Sequence, residues 1–375
     1  MKIWNKTGSD LYVTTEVGQF MFGGVALWVD RFIKYVVPKL ERRPTLMIEI
    51  GESHIGNIYY AQAVEPLLRL NLPIVWMYPN KRDKFKKMVD EADNVHLLTT
   101  PYGLEDHDRV KDLYKDAKSI VVHSVQSETN DNSMSKPMYQ YRERLIGEEF
   151  VKVNITENYK KNEQLQDYFL ENVPNKIWVG IEKKMGLNIP NIYEFHNTHD
   201  NNGSNIVGYA SRIEARKNIH YLDKIQSVAF TSWTEFQNLK RKAFVDRLEK
   251  DGEAEHILQK TQVLGFSSGQ VEDFYKSDDW GISHCCFDDE PFGYTIMQSI
   301  DYGKIPILHT DWNSDLDYPY RASNKEEFDK CVKKIKLLGV GKRNHYLSIL
   351  KDYCVEKYGD IDSWSNKLAS FYNEF

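Results

Sequence analysis

Asp288-Asp289-Glu290-Pro291-Phe292-Gly293-Tyr294-Thr295-Ile296-Met297-Gln298-Ser299-Ile300-Asp301-Tyr302-Gly303-Lys304-Ile305-Pro306-Ile307 reads as an acidic loop, a glycine turn, a helix, a glycine stop and a buried strand. Trp280-Gly281-Ile282-Ser283-His284 reads as a strand just ahead of it, so the stretch closes a strand–helix–strand unit of a parallel sheet. A helix that opens on Phe292-Gly293-Tyr294-Thr295 aims backbone N–H groups and a positive dipole end at whatever lies above it, which suits a diphosphate. A plain strand-to-helix turn that needs Gly293 only for its geometry accounts for those few residues equally well.

The same rhythm extends in both directions. Downstream of about residue 205, Ile206-Val207-Gly208-Tyr209-Ala210, Ser227-Val228-Ala229-Phe230 and Thr261-Gln262-Val263-Leu264-Gly265 read as strands, with a helix expected after Arg212. Upstream, strands are expected at 45–50, 72–77, 95–98 and 119–123, with helical spacing between them, as over 60–70. From about 160 to 205 the pattern loosens into Asn- and Pro-containing sequence that ends in His199-Asp200-Asn201-Asn202-Gly203-Ser204, and this stretch reads as the linker. Two doubly wound domains follow, with ligands expected at the carboxyl ends of their strands.

Composition agrees. A chain of 375 residues exceeds what one core usually serves, and 41% hydrophobic with 13% aromatic residues fills two. A net charge of -6 with interspersed signs argues against disorder and against a generally basic nucleic-acid binder. No apolar run is long enough to cross a membrane, and Met1-Lys2-Ile3-Trp4-Asn5-Lys6 lacks a secretory signal. Cys285, Cys286, Cys331 and Cys354 form neither a metal spacing nor a disulfide framework, which suggests buried reduced thiols and a cytoplasmic compartment.

The 288–307 stretch resembles the retaining GT-B glycosyltransferases, the large group that holds glycogen and sucrose synthases and bacterial mannosyltransferases. Their motif has a form like E-G-F-G-x-x-x-x-E-A-x-A-x-G-x-P-V. Glu290, Phe292, Gly293, Gly303 and Pro306 match it, with Tyr294 and Thr295 in the helix opening, whereas Gln298 stands where the second Glu is usual. The resemblance implies that Glu290 contacts the donor sugar and Gln298 the ribose hydroxyls. A Gln can hydrogen-bond a diol but brings no charge. Upstream, Val207 to Asn218 is similar to the group's strand, Gly-Arg, loop, Lys-Gly/Asn element, so Arg212 and Lys217 are expected on the pyrophosphate and the leaving group. Taken alone, both read as solvated surface charges.

In the first half, Gly23 and Gly24 resemble the group's paired glycines before the first helix, and His123 falls where a His or Asp often lies near the reacting sugar. A lone His at a strand end is as readily a satisfied structural residue. Asp362 to Tyr372 looks like the closing amphipathic helix that crosses back to the first domain. The resemblance therefore implies an α/β GT-B fold with two Rossmann-like domains facing across a cleft. An acceptor domain would span 1–200, a nucleotide-sugar domain 201–360, and the returning helix 361–375.

By the same resemblance the reaction is glycosyl transfer with retention, from a nucleotide-sugar donor, UDP-sugar first, with no tightly bound cofactor. No metal is expected at the donor, although Asp288-Asp289 keep one open. For the acceptor, Lys136, Tyr139, Tyr141, Arg142 and Arg144 interleave rings with cations, as a nucleic-acid backbone and an unstacked base would require. A solvated helix face fits the same residues. The compact Tyr-, Lys- and Asn-rich chain looks like bacteriophage enzymes that glycosylate hydroxymethylated cytosine in duplex DNA, which would place it in the host cytoplasm. A surface polysaccharide or glycolipid is the second acceptor. A catalytically silent nucleotide-sugar-binding protein is the alternative from another class. A nicotinamide oxidoreductase is disfavoured, because no Gly-x-Gly-x-x-Gly follows a strand.

Overall fold

The computed structural model describes residues 6–15, 24–49, 73–77, 82–101, 107–123, 156–180, 183–196, 199–211, 217–231, 260–265, 270–288, 290 and 292–375. The described chain divides into two compact units. The first comprises its residues up to 123 together with 156–192 and 360–375, and the second comprises 193–359.

The first unit is built on seven parallel strands: β1 (Lys6–Thr14), β2 (Arg42–Glu49), β3 (Ile74–Met77), β4 (Asn94–Leu97), β5 (Ser119–His123), β6 (Asn175–Val179) and β7 (Leu187–Ile189). Their order is β3-β2-β1-β4-β5-β6-β7, so the winding reverses between β1 and β4. The helices are α1 (Gly24–Arg31), α2 (Arg82–Glu91), α3 (His107–Leu113) and α4 (Thr156–Asn172). Alternation along the strands serves both faces of the sheet, which is why β5 is buried throughout and carries Ile120, Val121 and Val122 in succession. Val121, Tyr12, Leu46 and Ile48 join Trp28, Val29 and Phe32 of the α1 side. Val122, Ile120, Val13 and Met47 pack instead with Val110, Leu113, Leu165 and Phe169 beneath α3 and α4. α1 runs on through a wide turn at Phe32–Val36 and a tight one at Val37–Lys39, where Pro38 ends it at extended Leu40.

The second unit carries β8 (Val207–Ala210), β9 (Ser227–Thr231), β10 (Thr261–Gly265), β11 (Ile282–Cys285) and β12 (Ile305–Leu308). All pairs are parallel, in the order β10-β9-β8-β11-β12, with the reversal between β8 and β11. Its helices are α5 (Gln270–Lys276), α6 (Tyr294–Asp301), α7 (Lys325–Lys336) and α8 (Val340–Tyr358). Gly208 is required in β8 because a Cβ there would lie 2.2 Å from Trp280 Cε3. Buried Arg343 of α8 donates to Ser204 O (2.8 Å), Asn205 Oδ1 (2.6 Å) and Ile335 O (3.0 Å), tying the segment that leads into β8 to the helices.

The last helix, α9 (Ile361–Asn373), belongs to the first unit. Asp360 caps it through Ser363 N (2.9 Å), and Trp364, Leu368 and Tyr372 face the α1 side of the core. Lys39 donates to Ser365 Oγ (2.7 Å) and Asn366 Oδ1 (2.8 Å), and Trp364 Nε1 to Pro190 O (3.2 Å).

Three sequence expectations change. The 160–205 stretch is no linker, for it contains most of α4 and all of β6 and β7. Its Leu165, Phe169 and Val173 recur every four residues on one buried stripe, and the polar remainder of α4 conceals that spacing. β1 went unread because its buried positions include Asp10 and Thr14. Asp10 is accommodated by Asn94 Nδ2 at 2.9 Å and by Arg42. After Arg212, the described residues hold a short 3-10 turn at Ile219–Leu222, not an α-helix. The 60–70 helix lies outside the described residues.

Candidate functional site

In a doubly wound sheet the strand ends at the reversal point leave a crevice on the carboxyl side. In the second unit these are the ends of β8 and β11, and the expected residues gather there. Lys217 is buried, 7% exposed, and its ammonium forms an ion pair with the carboxylate of Glu290. The same ammonium sits 4.2 Å from the centroid of the Phe287 ring. Lys217 is therefore not the solvated charge that an isolated reading of the sequence allows.

Asn218 fixes this lysine in place. Its backbone is left-handed, φ 51° and ψ 36°, and its amide donates to Asp288 Oδ1 (2.9 Å) and Cys286 O (3.0 Å). Its carbonyl accepts from His284 Nε2 at 2.9 Å, while His284 Nδ1 accepts from Cys286 N at 3.3 Å. One nitrogen donates and one accepts, so the ring is the neutral Nε2–H tautomer. Burial pushes its pKa down to about 3, and it stacks against Tyr221 and Phe287. Asp288 also faces His309 Nε2 at 3.3 Å.

α6 begins on Gly293 at φ 80°, with no side chain capping its first turn. A Cβ at Gly293 would meet Ile296 Cδ1 at 2.6 Å and Glu290 Cγ at 3.3 Å. Thr295 Oγ1 donates to Ala210 O (3.3 Å), joining the helix start to the end of β8. Phe292 and Tyr294 are buried edge to face, 4.7 Å apart, and Trp312 Nε1 holds Phe292 O at 3.1 Å. Gln298, four residues along α6 from Tyr294, is half-buried, and its side-chain amide has no partner among the described residues.

The arrangement combines an ammonium, a helix N-terminus and a carboxylate at one strand edge. The first two can neutralise a diphosphate, and the third can accept hydrogen bonds from sugar hydroxyls. Cys285 beneath them is no nucleophile, because burial pushes its thiol up to about 11. Among the described residues no group of three His, Cys, Asp or Glu side chains is placed to hold a metal.

The other expected residues among those described belong to the first unit. His123 is in the first unit at the end of β5, 4% exposed, with Nε2 3.3 Å from Leu98 O and its ring edge-on to Trp28. Burial lowers its pKa to about 4, so it carries no positive charge at neutral pH. Gly24 opens α1, also in the first unit, and is exposed. Gly23, Arg212, Lys136, Tyr139, Tyr141, Arg142 and Arg144 lie outside the described residues. Asn218, His284 and His309 were not singled out from the sequence. The signal for Asn218 was present, since it follows Lys217 where the motif this stretch resembles carries Gly or Asn.

No protein-family model matches the chain, and no curated protein matches its sequence. Solved structures do match. Trehalose-6-phosphate synthase OtsA aligns over 98% of this chain and 99% of its own, at TM-score 0.54 and 9% identity. The chain has the GT-B fold. A mutant of Thermobaculum terrenum O-GlcNAc transferase aligns over 99% of this chain and 68% of its own, at TM-score 0.53 and 9% identity. The lipopolysaccharide outer core galactosyltransferase WaaB aligns over 97% and 99%, at TM-score 0.50 and 9% identity. Against S. aureus TarM, at TM-score 0.41, the chain spans 55% of that protein's length. In the GT-B fold the expectation of two doubly wound units is met. Among the described residues no helix is long and apolar enough to cross a membrane.

Proposed function

We propose that this chain is a glycosyltransferase that moves a sugar from a nucleotide-sugar, UDP-sugar first, to a hydroxyl acceptor with retention. The observation that carries the proposal is the Lys217–Glu290 pair at the reversal point of the second sheet, beside the uncapped start of α6. The C1–O bond to the diphosphate breaks as the acceptor C1–O bond forms on the same face, and the acceptor proton passes to a phosphate oxygen. Lys217, Arg212 and the opening of α6 hold the charge that builds on the diphosphate. Glu290 holds sugar hydroxyls, and Gln298 the ribose. His123, kept neutral, contributes at most a hydrogen bond through Nδ1.

For the acceptor, hydroxymethylated cytosine in duplex DNA is the first reading and a surface polysaccharide or glycolipid the second, in the cytoplasm in either case. The DNA reading rests on the cations and rings of 136–144 and on the chain's resemblance to bacteriophage enzymes that glycosylate hydroxymethylated cytosine. A silent nucleotide-sugar-binding protein is the competing class, favoured only by Gln298 in place of an acid.

UDP-, GDP- and ADP-sugars are tested for thermal stabilisation, then for hydrolysis and for transfer to DNA containing hydroxymethylcytosine. Lys217→Ala should cost roughly 2–4 kcal/mol of transition-state stabilisation. Glu290→Gln should lower turnover far more than affinity for the free nucleoside diphosphate. Stabilisation without hydrolysis or transfer would establish the silent protein, and no response to any donor would refute the donor site.

A further inference from the structure

A second cation-rich site lies at the other edge of the same sheet. A cavity of about 690 Å3 is lined by Lys224 and Gln226 of the turn before β9, Lys260 just before β10, and Lys325, Lys333 and Lys336 of α7. Five lysines therefore face two aspartates, Asp223 and Asp329, in a chain whose net charge is -6. Lys325 is neutralised by Asp329 one turn along α7. Lys260, Lys333 and Lys336 have no carboxylate partner among the described residues.

Lysines near the end of a helix offset its dipole, and that would account for Lys333 and Lys336 alone. It does not account for Lys224 and Lys260, which reach the same cavity from two other segments. Lys224 is held at φ 61°, a left-handed backbone that a non-glycine residue adopts only under strain. Strain of that kind concentrates where a ligand is clamped. The converging cations sit at the amino ends of β9 and β10, whereas Lys217 and Glu290 sit at carboxyl ends. Five residues of β9 put about 17 Å between the two edges.

We propose that this cavity binds a small oligophosphate, carrying two or more phosphate groups, separately from the donor site. Its volume falls in the range of small-ligand pockets and suits a compact anion. Like charges from three segments gain most from a ligand that carries several negative charges at once.

Titration calorimetry with tripolyphosphate on the whole chain provides the test, using wild type, Lys217→Ala, and a Lys333→Ala/Lys336→Ala double variant. Lys333 and Lys336 are exposed, so the double variant keeps its fold. Binding should persist in Lys217→Ala, weaken about tenfold or more in the double variant, and return when both positions carry Arg. A 12-base-pair duplex is run in parallel. Binding lost with Lys217 but not with Lys333 and Lys336 would reassign the ligand to the donor site and refute the proposal. Absence of binding would refute it as well, as would a duplex held more tightly than tripolyphosphate through the same two lysines.

Discussion

His284 links the candidate site to acid sensitivity. Its folded pKa is near 3, against about 6.5 for an exposed imidazole, so below pH 6.5 the unfolded chain binds a proton that the folded chain refuses. Stability is then complete near pH 7 and falls as the pH drops from 6.5 toward 3. Between pH 7 and pH 5 one such ring costs about 2 kcal/mol. His96, near 3, and His123, near 4, add similar amounts in the first unit. The second unit should thus lose about 2 kcal/mol and the first about 4, against a typical total of about 5–15. Urea unfolding by tryptophan fluorescence at pH 7, 6 and 5 measures the loss, for wild type and for His284→Gln, which can still donate to Asn218 O. The variant starts less stable at pH 7, but its decline toward pH 5 should be shallower by about 2 kcal/mol. A constant offset between the two proteins at all three pH values would show that the ring accepts its proton in the folded state, and would refute the reasoning.

Two further outcomes follow from local geometry. Gly293→Ala puts a Cβ at φ 80° and 2.6 Å from Ile296 Cδ1, which should displace the start of α6, cost about 1–3 kcal/mol of stability and weaken nucleoside diphosphate binding about tenfold. Calorimetric titration checks this, and unchanged affinity would remove the helix opening from the site. Trp364→Ala removes a side chain 3% exposed that stands edge-on to Trp28 at 5.8 Å, and should destabilise the first unit by about 3–5 kcal/mol in denaturant unfolding.

The second unit was the legible one, for physical reasons that can be read at particular positions. Val207–Ala210, Ile282–Cys285 and Ile305–Leu308 are short strands buried on both faces, so their apolar runs stand out against the loops. Gly293 and Gly303 stand in left-handed backbone at the two ends of α6 and mark its limits in the sequence itself. The first unit hid more, because several of its buried positions are polar and meet partners far along the chain. Asp10 meets Asn94, and His96 meets Ser119 at 2.8 Å. Such pairs disturb the apolar pattern of β1 and β4 without weakening the core, and no local rule reveals them.

The candidate site divides along the same line. Lys217 and Glu290 were found as separate charges, 73 residues apart in sequence, but their contact was not, and neither was the burial that makes it matter. Exposed, such a pair would contribute almost nothing. Buried beside the Phe287 ring, the two charges compensate one another. Asn218 explains how the lysine is kept there. Gly and Asn share the ability to adopt φ 51°, which is a backbone reason for finding either of them after that lysine. Asn adds what Gly cannot, since its side chain binds the β11 exit at Cys286 O and the acidic loop at Asp288. The loop that presents Lys217 is thereby tied to the strand and loop that present Glu290, and the pair is set by the fold itself.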